Sequence, residues 1–175
     1  MKLNKWILCS ILMFNVTLTH AYTMSLSEQD IQEQIDAIMP LEKKQLFLTV
    51  VMSDAKVSLS ESANRLEIAS DIALSSGAGV GGSGHATIAG AIRYDAENGA
   101  FYIDDPEIVS LESESIPRNF LSETKKYVQL IAEQVLPRYP VYQLDNENLQ
   151  EQLAKAVLKS VRVEDHKLIV ELDML

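Results

Sequence analysis

The sequence predicts an α+β fold in which a four-stranded antiparallel meander is followed by a long amphipathic helix. Apolar and polar residues alternate over 46–59, 65–74 and 86–94, which is the period of strands with one buried face. The turn-forming segments ESAN and DAENG separate strands, and Asn98-Gly99 within the second is a strong hairpin signal. After Pro117 the apolar period changes to that of a helix.

A short helix precedes the predicted sheet. Residues 25–39 carry isoleucines at helical spacing and stop at Pro40. Two overlapping capping pairs stand at its start: Ser25 with Glu28, and Ser27 with Asp30. The first strand then changes the parity of its apolar positions, which predicts a bulge or bend near residues 53–56.

The second half of the chain alternates between strand and helix patterns. The fourth strand starts at AFYI, is interrupted by DDPE and resumes over EIVSLES. The long helix ends at Pro137 and presents one apolar stripe, widened by Leu121, Val128 and Leu136, which consists of Phe120, Thr124, Tyr127, Ile131 and Val135. VYQL then predicts a short strand, Asp145 is expected to cap a further helix, and VRV and LIVEL predict two strands about a polar turn.

The first 21 residues have the pattern of a secretory signal peptide. MKLNK carries two lysines and no acid, the apolar run WILCSILMFNV follows, and Thr19 and Ala21 are the small residues of a cleavage site. The run is shorter than the ~20 residues that a membrane span needs. We expect cleavage near Ala21, export to the periplasm and one mature domain over 22–175, without an integral membrane span.

Export and charge exclude several classes of function. The only cysteine, Cys9, lies within the apolar run behind Leu8, so we expect neither lipidation nor any disulfide or thiolate site in the mature chain. Loss of Lys2 and Lys5 leaves 13 basic against 25 acidic residues, a net charge of −12. Such a surface repels phosphate backbones, and a nucleic-acid partner is not expected.

The stretch SSGAGVGGSGH at 75–85 contains the pattern G-x-G-x-x-G at Gly77, Gly79 and Gly82. A dinucleotide site needs a helix that starts within these glycines, because the helix N-terminus holds the pyrophosphate. The following residues, HATIAGAIRY, have the period of a strand. We therefore interpret the stretch as a mobile loop between adjacent strands and expect no bound nucleotide.

The sequence contains no recognisable catalytic or metal-binding pattern. G-x-S-x-G is absent, because His85 stands where its last glycine would be. His85 and His166 lack a second histidine at metal-ligand spacing, and we interpret them as isolated surface residues. A hairpin turn explains the polar residues at 95–99, and a solvated strand kink those at 104–107, better than a cation site. We expect no enzymatic activity, no cofactor and no metal.

Four segments resemble one family. YTMSLSEQDI, ENGAFYIDDPEIV, LPRYPVYQL and LAKAVLKSVRV…LIVEL, in this order within 22–175, resemble the YceB-like proteins, bacterial envelope proteins with a domain of unknown function. The resemblance implies a TULIP-like half-barrel, related to tubular lipid-binding domains, in which a curved antiparallel sheet wraps around the long helix. Known members are lipoproteins with a cysteine at the mature N-terminus. Tyr22 stands there here, which implies a soluble periplasmic form or attachment through a partner.

A sheet that closes on the long helix would enclose an apolar interior able to bind a lipid or fatty-acid-like ligand. Each buried methylene contributes about 0.8 kcal/mol to such binding. The residues expected to line the interior are Leu48, Val50, Ile68, Ile72, Ile88, Ile92, Phe120, Tyr127 and Ile131. Apolar alternation does not distinguish a hollow interior from a filled one. The alternative is therefore a protein-interaction or accessory module of an envelope complex with a solid core.

Overall fold

Two antiparallel sheets make up most of the computed structural model, which describes residues 22–45, 48–77, 81–113, 115–116 and 118–172. The predicted signal peptide lies outside these residues. The elements in chain order are β1 Tyr22–Ser27, α1 Glu28–Ile38, β2 Leu41–Gln45, β3 Leu48–Ser60, β4 Arg65–Ser76, β5 Gly81–Asp95, β6 Ala100–Glu112, α2 Arg118–Val135 with a 3₁₀ turn Leu136–Arg138, β7 Tyr142–Gln143, α3 Leu149–Val157, β8 Leu158–Glu164 and β9 Lys167–Leu172.

The predicted meander is confirmed as the centre of the larger sheet. Over the described ranges, this curved, non-closed sheet has the strand order β2-β3-β4-β5-β6-β7, and the smaller sheet has the order β1-β9-β8. The predicted bulge in the first strand lies between Ser53 and Lys56, where the β3–β4 register shifts. The buried face of β3 changes parity across this bulge, from Val50 and Met52 to Ala55 and Leu59.

The start of the chain differs from the prediction in two strands. Ser25 belongs to β1, which pairs with the C-terminal β9, so α1 uses only the second capping pair. The amide of Asp30 donates to Ser27 Oγ at 3.2 Å, and the Asp30 carboxylate accepts from the Ser27 amide at 2.7 Å. Strand β2 pairs with Leu48–Met52 of β3 and was not predicted, because its sequence LEKKQ does not alternate.

The prediction of a loop over 75–85 is wrong at both ends, because residues 75–76 belong to β4 and residues 81–85 to β5. Strand β5 begins at Gly81 and pairs with β4 as far as Ser75, while Gly79 lies outside the described residues. The β5 backbone bonds to the segment that leads into α2: the amide of Ser83 donates to Ser115 Oγ at 2.8 Å, and the hydroxyls of Ser113 and Ser115 donate to the Ser83 carbonyl. A strand rather than a helix follows the glycines, so the phosphate-binding element of a dinucleotide site is missing here.

Two later boundaries also differ. Strand β6 is continuous through DDPE, and the irregularity is instead a pair of register shifts against β5, with Asp105 at φ 45°. The N-cap of α3 is Asn148 and not Asp145. Asp145 instead accepts the amide of Glu147 in a turn that precedes the helix. The short strand β7 and the strand pair β8–β9 confirm the other predictions for this region.

Helix α1 lies between the two edges of the non-closed sheet and bonds to both. Gln32 accepts from the amide of Val57 at 2.9 Å and donates to the carbonyl of Ala55 at 2.7 Å, on the part of β3 that extends beyond β2. Gln34 does the same at the other edge, where its amide accepts from and donates to the backbone of Gln143 in β7. Each glutamine side chain thus pairs with the backbone as a neighbouring strand would.

We predict that Gln32→Ala lowers the free energy of unfolding by about 1–3 kcal/mol, because it leaves a partly buried amide and carbonyl of β3 unpaired. The control is Gln29→Ala on the same helix, which removes only an exposed bond to Glu33 and should change stability by less than about 0.5 kcal/mol. Urea unfolding of both variants measures the difference. Equal effects would show that the Gln32 amide does not support the sheet edge.

A second prediction concerns the strand glycines. A Cβ at Gly84 would collide with the Glu112 carbonyl oxygen and lie 2.9 Å from Ser113 Cβ, whereas a Cβ at Gly77 would meet nothing within 4 Å. Gly84→Ala should therefore destabilise the fold by about 1–3 kcal/mol through overpacking. Gly77→Ala should be neutral to slightly stabilising. Thermal unfolding that gives the same midpoint for both variants would contradict the close approach at Gly84.

Candidate functional site

The second half of α2 packs on the inner face of the larger sheet. Val128, Ala132 and Leu136 are buried there, and Ile131 is partly buried. From Arg118 to Tyr127, no side chain that the structure describes is buried. Among the described side chains, the fully buried contacts of the helix thus lie in its C-terminal half, and Leu121 in the N-terminal half is partly buried against the core.

A glutamine also fixes the middle of α2 to the sheet. Gln129 accepts from the amide of Ile108 at 2.8 Å and donates to the carbonyl of Pro106 at 2.7 Å. These two backbone groups belong to the part of β6 that extends beyond its short pairing with β7. The contact therefore places α2 at the open edge of β6 in the way that Gln32 places α1 at the open edge of β3.

Between α2 and the sheet lies an apolar cavity of about 20 Å³. This volume holds about one water molecule, far below the roughly 300–1,000 Å³ of ordinary ligand pockets. Ten of its eleven lining residues are apolar, and they come from four strands, α2 and the following turn: Leu41, Lys43, Val50, Met52, Ile72, Ile88, Val128, Ile131, Ala132, Val135 and Leu136.

Lys43 is the one charged residue in this lining. Its ammonium group lies 4.8 Å from the centroid of the Tyr139 ring, in a cation–π contact. The aliphatic stem of a lysine can cover apolar surface while its charge stays elsewhere. The charge of Lys43 is therefore engaged with an aromatic ring, and the cavity wall is in effect a hydrocarbon surface.

The structure brings only part of the predicted interior set to this cavity. Val50, Ile72, Ile88 and Ile131 line it. Ile68 is buried in the same sheet, whereas Leu48 and Ile92 are partly buried outside the lining. The side chain of Phe120 lies outside the described part of the chain.

Tyr127 differs most from its predicted place. Its side chain is 47% exposed and faces a surface groove with Glu123, Lys126 and Leu130, not the interior. Val128 belonged to the margin of the predicted stripe, but the buried face centres on it, about 100° around the helix from Tyr127. Sequence reasoning also missed Ala132 and Leu41, which are inconspicuous in an apolar pattern.

The outer face of the sheet carries a polar row. Ser53, Asp71, His85 and Glu112 stand opposite one another across β3, β4, β5 and β6, and they line an open cleft of about 630 Å³. His85 Nδ1 lies 2.5 Å from Asp71 Oδ1, and His166 Nδ1 lies 3.4 Å from Glu28 Oε1. The expectation that both histidines are isolated is therefore wrong. The contact between His85 and Asp71 depends on the register of β4 and β5, which places the two residues opposite each other. The sequence pattern does not determine this register to the exact residue.

The polar row does not form a metal site. Nowhere in the described ranges do three histidine, cysteine, aspartate or glutamate side chains come together in a geometry that could hold a metal ion. The hydroxyls of Ser113 and Ser115, near the row, both donate to the carbonyl of Ser83 and lie 3.4 Å from each other, and in the described part of the chain neither bonds to His85.

The chain matches the model of a family described as a protein of unknown function (DUF1439) over residues 26–167. It belongs to this family. The match runs from the end of β1 to the first residue of β9 and so includes the whole of the larger sheet and the three α-helices described above, but only β8 of the smaller sheet in full. No curated protein matches the chain. None of the helices in the described ranges of this DUF1439 protein is long and apolar enough to cross a membrane.

A large pKa displacement in this DUF1439 domain lies away from the cavity, at Tyr142 of β7. Its hydroxyl donates to the Glu151 carboxylate at 3.3 Å, and the same carboxylate accepts from the amide of Asp145. Burial, followed by the negative charge of Glu151, raises the pKa of Tyr142 to about 12. Tyr142 thus connects β7 to α3 as a neutral phenol, which is a structural role.

This displacement predicts a loss of stability in alkali. Because the folded-state pKa lies above the value of about 10 in an unfolded chain, the contribution of Tyr142 is complete below about pH 10 and is lost as the pH rises toward about 12. Tyr142→Phe should remove this part of the pH dependence, and Tyr102→Phe serves as the control for loss of another phenol in the sheet. Urea unfolding across this pH range measures it. Identical slopes for the wild type and Tyr142→Phe would contradict the assignment.

Proposed function

We propose that this DUF1439 protein is a non-enzymatic periplasmic protein that binds a lipid or another apolar ligand between the curved sheet and α2, in a TULIP-like half-barrel. The observation that carries the proposal is the wall between these two elements, where ten of eleven lining residues are apolar and the one charge is engaged with Tyr139. A surface of this kind recognises hydrocarbon, because burial and not hydrogen bonding supplies the affinity.

The size of the cavity requires that α2 moves when the ligand binds. A volume of about 20 Å³ holds no alkyl chain, so the ligand must separate the helix from the sheet. When the hydrocarbon of the ligand replaces the contact between α2 and the sheet, the apolar faces of α2 and of the sheet remain out of water. The burial of the ligand itself is then the net gain, roughly 8 kcal/mol for ten methylenes before the costs of ordering.

The packing of α2 indicates which part moves. Its C-terminal half is held by Val128, Ala132, Leu136 and the two bonds of Gln129. Its N-terminal half, from Arg118 to Tyr127, has no buried residue among the side chains described. Among the described side chains, displacement of this half would uncover the partly buried Leu121 but no fully buried residue, so the ligand chain would enter beneath it and extend toward Ile72 and Ile131.

The periplasmic location rests on the sequence. The pattern of residues 1–21 is that of a secretory signal peptide, and the charge of −12 expected after its removal favours a soluble protein. The resemblance to the YceB-like envelope proteins supports the same location. Tyr22 at the expected mature N-terminus favours a form without a lipid anchor.

The alternative is an interaction or accessory module of an envelope complex, and one observation favours it. A cavity of only about 20 Å³ between the described parts of the sheet and α2 is what a module that acts through its surface would have. Strand β2 ends the larger sheet and offers its outer edge to a partner strand. The two functions differ in whether the interior opens for hydrocarbon.

Native mass spectrometry of the periplasmically expressed protein, followed by titration with a fluorescent fatty-acid analogue, tests the proposal. We expect a stoichiometric lipid adduct, and we expect Ile131→Gln to weaken binding at least about tenfold, because it places an amide in the apolar wall. The control is the adjacent Leu130→Gln, whose side chain is 44% exposed and faces away from the cavity. A bare mass that envelope lipids do not change would favour the interaction module.

A further inference from the structure

The apolar interior contains one hydroxyl that has no partner. Ser70 lies in the middle of β4, is 4% exposed and occupies the inner face between Ile68 and Ile72. Within the described ranges, its Oγ neither donates nor accepts a hydrogen bond. Buried polar atoms are nearly always paired, because an unpaired one loses its bonds to water without compensation.

The surroundings of Ser70 do not require a hydroxyl. Ala86 stands opposite it on β5, and Ala55, in the bulge of β3, is the buried residue on its other side. These three small side chains form a low band across the inner face of the sheet. An alanine at position 70 would continue the band without leaving a buried oxygen unpaired, so packing does not explain the serine.

The band lies next to the proposed binding region. Ile72 and Ile88, which both line the apolar cavity, belong to the residue pairs on either side of the Ser70–Ala86 pair. A ligand that separates α2 from the sheet would therefore pass over the low band and come within reach of Ser70 Oγ. In a hydrocarbon wall, one such group fixes the position of the ligand along its length.

We propose that Ser70 Oγ is the polar anchor of the interior and hydrogen-bonds an uncharged oxygen, an ester carbonyl or a hydroxyl, of an otherwise apolar ligand. This inference rests on the proposed function and adds the class of ligand. An ionised carboxylate does not suit the site, because it would be buried without a counter-charge. Lys43 is the one cation that lines the described cavity, and it is engaged with Tyr139.

The test compares three probes of similar chain length: methyl decanoate, undecane and the decanoate ion. Each displaces a neutral fluorescent dye from the full mature protein. We expect the wild type to bind the ester more tightly than the alkane, and the ion most weakly. Ser70→Ala should weaken ester binding about three- to tenfold, leave alkane binding unchanged and keep or raise the thermal midpoint. Ser75→Ala, on the exposed face of the same strand, is the matched control.

The outcomes separate the two proposals. A wild type that binds none of the probes overturns the proposed function, and the anchor with it. A wild type that binds ester and alkane equally, or a Ser70→Ala protein that keeps the full preference for the ester, overturns the anchor alone. Preferred binding of the decanoate ion overturns the choice of an uncharged head group. A large fall in the thermal midpoint of Ser70→Ala would show that the hydroxyl is used by the fold itself.

Discussion

An antiparallel sheet that does not close leaves backbone groups unpaired at its edges, and satisfying these groups determines where the helices of this protein lie. Gln32, Gln34 and Gln129 each use both atoms of the side-chain amide, one as donor and one as acceptor, on the backbone of a single strand. Gln32 contacts the part of β3 that is not paired with β2, Gln34 contacts β7, and Gln129 contacts the part of β6 that is not paired with β7. Because an unpaired buried group costs about 1–3 kcal/mol, these contacts fix α1 and α2 at the opening of the sheet. They also cover edges that could otherwise pair with another chain.

The parts of the fold that could be predicted from the sequence are those whose signals are local, whereas contacts at the edges of the sheet depend on residues distant in the chain. Alternation, turn residues and the parity change near Ser53 are local signals, and they identified β3 to β6 and the bulge. Strand β1 pairs with β9 at the opposite end of the chain, and β2 is a polar edge strand, so neither has a local signal. The glutamine contacts are equally invisible in the sequence, because a glutamine on a helix surface reads as a solvated residue until the neighbouring strand edge is known.

The candidate site shows that a side-chain pattern predicts which broad face of a helix is apolar better than it predicts which residue lies at the centre of the buried face. The predicted apolar stripe of α2 includes Tyr127, Val128 and Ile131, and a broad stripe permits several rotations of the helix. The contact between Gln129 and β6 selects one rotation, which buries Val128 and exposes Tyr127. Ser70 shows the reverse case, a residue that the sequence pattern did not single out. It is an ordinary polar interruption in a strand pattern, and only its burial without a partner makes it a candidate for binding.

A filled interior and a binding interior are compatible when one wall is tethered at separate points. The segment before α2 is tied to β5 through Ser83, Ser113 and Ser115, and the middle of α2 is tied to β6 through Gln129. Between these tethers, none of the described side chains of residues 118–127 is fully buried, and Leu121 is partly buried against the core. This stretch can therefore leave the sheet without breaking either tether, whereas displacement of the C-terminal half would break the bonds of Gln129 and expose Val128 and Ala132. The arrangement confines any opening to the N-terminal half of the helix, and the closed cavity of about 20 Å³ is then the state expected without a ligand.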